Sequence, residues 1–93
     1  MSTFKGKSVH VPIGVPTKLI DNNPNRVFLR VKNSSAIAAS VKLDGTSGNV
    51  GQNSALLHPG ESLDLRMQSA DIEIWCLADA ATDISIIEVV DNP

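Results

Sequence analysis

Residues 26–43 read RVFLRVKNSSAIAASVKL, and the alternation inside this stretch decides the fold class. Val27, Leu29 and Val31 fall on one side, while Phe28, Arg30 and Lys32 fall on the other. A period of two is the signature of a strand, because successive side chains point to opposite faces. Asn33, Ser34 and Ser35 interrupt it as a turn, and Ile37, Ala39, Val41 and Leu43 then resume it against Ser40 and Lys42. Two strands joined by so short a turn are predicted to pair antiparallel.

The same period extends in both directions. Upstream, Val9, Val11, Ile13 and Val15 take every second place in SVHVPIGV, with Pro12 and Pro16 interleaved. Proline cannot donate to a ladder, so residues 1–16 are predicted to be an extended N-terminal arm or an edge strand. TKLI (17–20) is short and is followed by the turn-rich DNNPN. Downstream, Asp44–Ser54 carries three glycines and reads as a loop, and Ala55–His58 is a brief strand stopped by Pro59-Gly60. ESLDLRM alternates through Leu63, Leu65 and Met67. Ile72, Ile74, Cys76 and Ala78 then share one face, with Glu73, Trp75 and Leu77 on the other. ISIIEVV closes the chain, its slip at Ile86-Ile87 suggesting a bulge.

No segment carries a 3.6-residue apolar stripe. The prediction is therefore an all-β chain: a single small antiparallel β-sandwich of about seven strands, immunoglobulin-like or jelly-roll-like, over residues 17–93. Its expected core is Val27, Leu29, Val31, Ile37, Val41, Leu43, Leu63, Leu65, Ile72 and Ile74. The length of 93 residues allows one domain, of a size that hides roughly 60 to 65% of its unfolded surface.

Composition narrows the function. The chain is 42% hydrophobic and 19% charged, with eight Lys and Arg scattered among ten Asp and Glu. Nucleic acid is not expected as a partner, since it asks for a clustered basic patch and stacking aromatics. A membrane is not expected either, as no apolar run approaches the roughly 20 residues of a spanning helix. MSTFKGKSVHV lacks an apolar stretch of signal-peptide length, so synthesis in the cytoplasm is expected. Asn33-Ser34-Ser35 fits a glycosylation sequon in form and is read here as a turn.

Residues capable of chemistry do not assemble on paper. His10 and His58 lie far apart and only Cys76 remains to join them, which falls short of zinc spacing. A Cys76–His58–Asp triad would need a reactive thiol, but Cys76 shares the inward register of Ile72 and Ile74. DGTSGNVG lacks the Lys-Ser/Thr ending of a phosphate loop, and Asp44 with Asn49 lacks calcium-loop spacing. The expectation is a protein without catalytic site, metal or cofactor. The residues out of place are apolar ones on polar faces: Phe28 beside Arg30 and Lys32, and Trp75 with Leu77 beside Glu73. Aromatics and Arg are enriched at interface hot spots. These five residues, with Val9, Val11 and Ile13 of the N-terminal segment, are the candidate interface.

The order of turn motifs across residues 17–90 resembles small bacteriophage virion proteins. It runs from NPNR (23–26) through VFLRVKNSS, LLHPGES and IEIWCLA to TDISIIEVV. The resemblance implies a structural component of a virion, foremost a capsid decoration or cement protein on the head shell, and otherwise one of the neck, tail or head fibres. The implied partners are the major capsid protein or another virion protein, and further copies of the chain in a homo-oligomer. A competing expectation is a small carbohydrate- or receptor-binding sandwich, with Trp75 as its sugar platform.

Overall fold

A computed structural model describes residues 2–34, 41–45, 55–66 and 70–91. They form eight strands: β1 (Ser2–Val11), β2 (Thr17–Ile20), β3 (Arg26–Asn33), β4 (Val41–Asp44), β5 (Ala55–Leu57), β6 (Ser62–Arg66), β7 (Ile74–Ala78) and β8 (Thr82–Asp91). Two four-stranded sheets result, β1-β8-β3-β6 and β2-β7-β4-β5, antiparallel at each strand pair. The fold is all-β with two sheets, as expected, although with eight strands in place of about seven. Ile37, Ala39, Met67 and most of the 44–54 loop lie outside the described residues.

The chain changes sheet at every connection between consecutive strands except β4 to β5. This corrects the expected hairpin of residues 26–33 with 37–43. β3 lies between β8 and β6 in one sheet, and β4 lies between β7 and β5 in the other. Alternation orients the apolar faces of both strands inward, and facing each other across the interior satisfies it as well as lying side by side does.

Leu19, Leu29, Val31, Val41, Cys76, Ile84 and Ile86 meet in the interior with at most 1% of their surface exposed. Burying each large aliphatic side chain contributes about 1.5–3 kcal/mol. Two expected core members are not there. Val27 is half-buried, because the register shifts between Arg26 and Phe28. That bulge turns Arg26 inward on the same side as Leu29. Ile72 is 41% exposed, since it precedes the first paired residue of β7. The bulge expected at Ile86-Ile87 is absent: Ile86 pairs with Val31 and Ile87 with Arg30 in unbroken register.

Residues 2–11 are no free arm. They pair with β8 from Ser2↔Asp91 to Val11↔Thr82 and form one edge of the first sheet. Pro12 and Pro16 fall in the crossing to β2, after the last paired residue, so no ladder position in β1 lacks an N–H. Gly14 takes a φ of 71° in that crossing, and its N–H donates to the Ala78 carbonyl at 3.1 Å.

The turns follow their chemistry. Pro59-Gly60 occupies the centre of a turn closed by the Glu61 N–H on the His58 carbonyl at 3.0 Å, with Gly60 at φ 85°. Proline followed by a positive-φ glycine is the signature of type II. In NPNR, the Arg26 N–H donates to the Asn23 carbonyl, and the Asn23 side chain accepts the Asn25 N–H at 2.9 Å. Arg26, 3% exposed, then ties three segments: its Nε donates to Glu88 at 2.8 Å, its Nη1 to the Ala70 and Ile72 carbonyls, and its Nη2 to that of Asp21.

Candidate functional site

The ladder registers determine what the outer face of the β1-β8-β3-β6 sheet presents. Phe4 pairs with Val89, Val89 with Phe28, and Phe28 with Arg66. One row of side chains therefore crosses all four strands. Gly6 pairs with Ile87, Ile87 with Arg30, and Arg30 with Asp64, making a second row beside the first. Between the rows, Leu29 points into the core and Leu65 packs against it, while Lys5 at the sheet edge stays exposed.

This face is apolar at one end and cationic at the other. Phe4 is 70% exposed, and Val89, Ile87 and Phe28 are half-buried. The Arg66 guanidinium lies 5.2 Å from the Phe28 ring centre and that of Arg30 lies 5.7 Å from it, both within cation–π range. Arg30 also grips Asp64 with two hydrogen bonds, Nε at 2.8 Å and Nη2 at 3.0 Å. The paired guanidinium holds the Asp64 carboxyl below its ordinary range, and Asp64 in turn raises Arg30. Lys32 stands exposed one row further along.

Trp75 and Leu77 do not join Phe28 in one patch. They lie on the outward face of β7 in the other sheet, whose inward residues Ile74, Cys76 and Ala78 are buried. The Trp75 indole N–H donates to Glu73 at 2.9 Å, and the Lys18 ammonium sits 5.5 Å above its ring. Lys18 also meets Asp21 at 3.0 Å, which lowers the Asp21 carboxyl. Of the N-terminal candidates, Val11 is fully buried and Val9 packs half-buried against the core, so neither can face a partner. Ile13 is 62% exposed in the crossing.

Phe4, Ile87 and Val89 were missed as members of the face. In β8 apolar residues occupy both registers, which hides the outward set, and Phe4 sits in a segment whose alternation is obscured by Lys5, Gly6 and Lys7. The spacing of Phe4 and Gly6, two places apart and so on one face of an extended segment, was the usable signal.

Cys76 lies between the sheets, and burial pushes its thiol up to about 12, so the thiolate a nucleophile requires is scarce. Among the described residues no group of three or more His, Cys, Asp and Glu is placed to hold a metal ion. His10 meets Asp83 at 3.0 Å on the surface. An open groove of about 560 Å³ is lined by Asn22, Pro24, Gly45, Asp71, Ile72 and Glu73, and a smaller cleft of about 210 Å³ lies under β1 between Lys5, Lys7 and Glu88.

No known protein family matches this chain, and no curated protein matches it. Solved structures do. A de novo designed double-stranded β-helix is similar over 95% of this chain and 99% of its own, at 19% identity and a TM-score of 0.56. The Cupin_2 domain of an XRE-family transcriptional regulator from Enterobacter cloacae is similar over 97% of this chain and 82% of its own, at 11% identity and a TM-score of 0.59. At these identities the likeness concerns the fold alone: two facing antiparallel sheets between which the chain winds back and forth.

Proposed function

We propose that this chain is a non-catalytic assembly protein of a virus particle, and that the outer face of the β1-β8-β3-β6 sheet is its contact surface. The observation that carries this reading is the Phe4–Val89–Phe28 stripe ending on Arg66 and Arg30. The core is complete without these side chains, and Phe4 is left 70% exposed. Aromatic groups flanked by arginine are the composition of binding hot spots. The finer reading, a jelly-roll-like decoration protein of a phage head made in the bacterial cytoplasm and carried in the virion, rests on the likeness in the order of turn motifs. Its partner would be the major capsid protein or another virion protein. Repetition over a symmetric shell turns modest single contacts into strong attachment.

The test is co-sedimentation of the folded chain with particles of the virus that encodes it, stripped of the native copy. Phe28→Ser is expected to weaken attachment by about tenfold or more, the loss of a hot spot of about 2 kcal/mol, with little change in thermal midpoint. Trp75→Gln, on the opposite face, is the control. Attachment unchanged in Phe28→Ser, or no association with the particle at all, would overturn the reading.

A further inference from the structure

We infer that the outer face of the β1-β8-β3-β6 sheet docks against the same face of a second copy, with a two-fold axis perpendicular to the strands and lying between the two rows. The inference rests on the reading of this face as the contact surface and names its first occupant. Such an axis reverses the strands and keeps their order, so each row of one copy meets the other row of its partner. A two-fold contact must be self-complementary in this sense.

The rows meet this condition position by position. Phe4, the most exposed of the large apolar side chains among the described residues, comes over the partner's Gly6, where no side chain stands in its way. On β8, Val89 comes over Ile87. On β3, the Phe28 ring comes over the Arg30 guanidinium, and on β6, Arg66 comes over Asp64. Each contact occurs twice: knob on notch, aliphatic on aliphatic, ring on cation, cation on carboxylate. Packed sheets are usually rotated by about 30°. Over a row about 14 Å wide this displaces the ends by about 3.5 Å, within reach of an arginine side chain.

Gly6 is a second and independent observation. A Cβ built there would come no closer than 3.8 Å to the Ile86 carbonyl oxygen, and its φ lies outside the left-handed region. The single copy therefore does not require glycine in the middle of this paired strand, where it is less stable than alanine because it loses more conformational freedom on folding. A notch for the partner's Phe4 supplies the requirement. The sheet face measures roughly 14 by 30 Å, about 400 Å² per copy, against about 800 Å² in a standard interface. The dimer is thus expected to dissociate on dilution.

Sedimentation velocity on the full chain over a wide concentration range tests this. The wild type should pass from monomer to dimer. Gly6→Val should keep or raise the thermal midpoint yet weaken association by about tenfold or more, the outcome of filling a hole against which no fold contact depends. Arg66→Asp and Asp64→Arg, each alone, set like charges opposite each other and should be monomeric. Mixed in equal amounts they place Asp over Arg at every crossing and should re-form a dimer. A wild-type chain that stays monomeric at the highest concentration overturns the inference, as does a dimer indifferent to Gly6→Val or a mixture that fails to associate. In any of these cases, loss of particle attachment in Phe28→Ser would still uphold the contact surface itself.

Discussion

Arg26 enters the interior as a cation, and each of its three guanidinium nitrogens donates there, to Glu88 and to the carbonyls of Asp21, Ala70 and Ile72. Truncation would leave a partly buried carboxylate and three carbonyls without their donor, and breaking a buried pair in this way costs about 3–5 kcal/mol. Arg26→Ala is therefore expected to lower the urea midpoint by that equivalent, while Glu88→Gln, which retains an acceptor, should cost much less. The turn before Arg26 was legible from NPNR, since asparagine and proline have distinct roles in turns. The inward guanidinium was not. A strict alternation assigns the inward position to Val27, and only the bulge between Arg26 and Phe28 exchanges the two.

At the scale of the element, β1 is the segment whose role depends most on its partner. It contributes Val9 and Val11 to the interior and covers one side of β8 over ten paired positions. Deleting residues 2–11 should unfold the chain instead of leaving an intact sandwich, read as loss of the far-UV β signal and of a cooperative thermal transition. A deletion variant that melts cooperatively near the wild-type midpoint would contradict the structure. Strand positions were legible because period two is local, whereas strand partners were not. The expected pairing of 26–33 with 37–43 failed because alternation says which face is apolar and nothing about which edge is bonded. The face itself was half legible: Phe28 stood out against the polar register it shares with Arg30 and Lys32, but only the registers of three strand pairs bring Phe4, Val89 and Arg66 beside them.

The whole molecule carries a formal net charge of −2 and ties several of its surface charges into pairs. Asp64 is held by Arg30 and Asp21 by Lys18, both below the ordinary carboxylate value of 3.8. A carboxyl depressed in the folded state contributes stability above its unfolded value and loses it as pH falls through the lower folded one. The denaturant midpoint should accordingly decline below pH 3.8, and Asp64→Asn should flatten part of that decline. Because these pairs are solvent-exposed, high salt should shrink the effect. The pairing of β1 with β8 also places a demand on synthesis. Every β1 partner lies roughly 80 residues downstream, and translation at about 5–20 residues per second separates the two by about 4–16 s. Throughout that interval the nascent chain carries a bare strand with Phe4, Val9 and Val11 uncovered, so the window in which a chaperone or a neighbouring nascent chain can capture it is set by the ribosome and closes only when the last strand has been made.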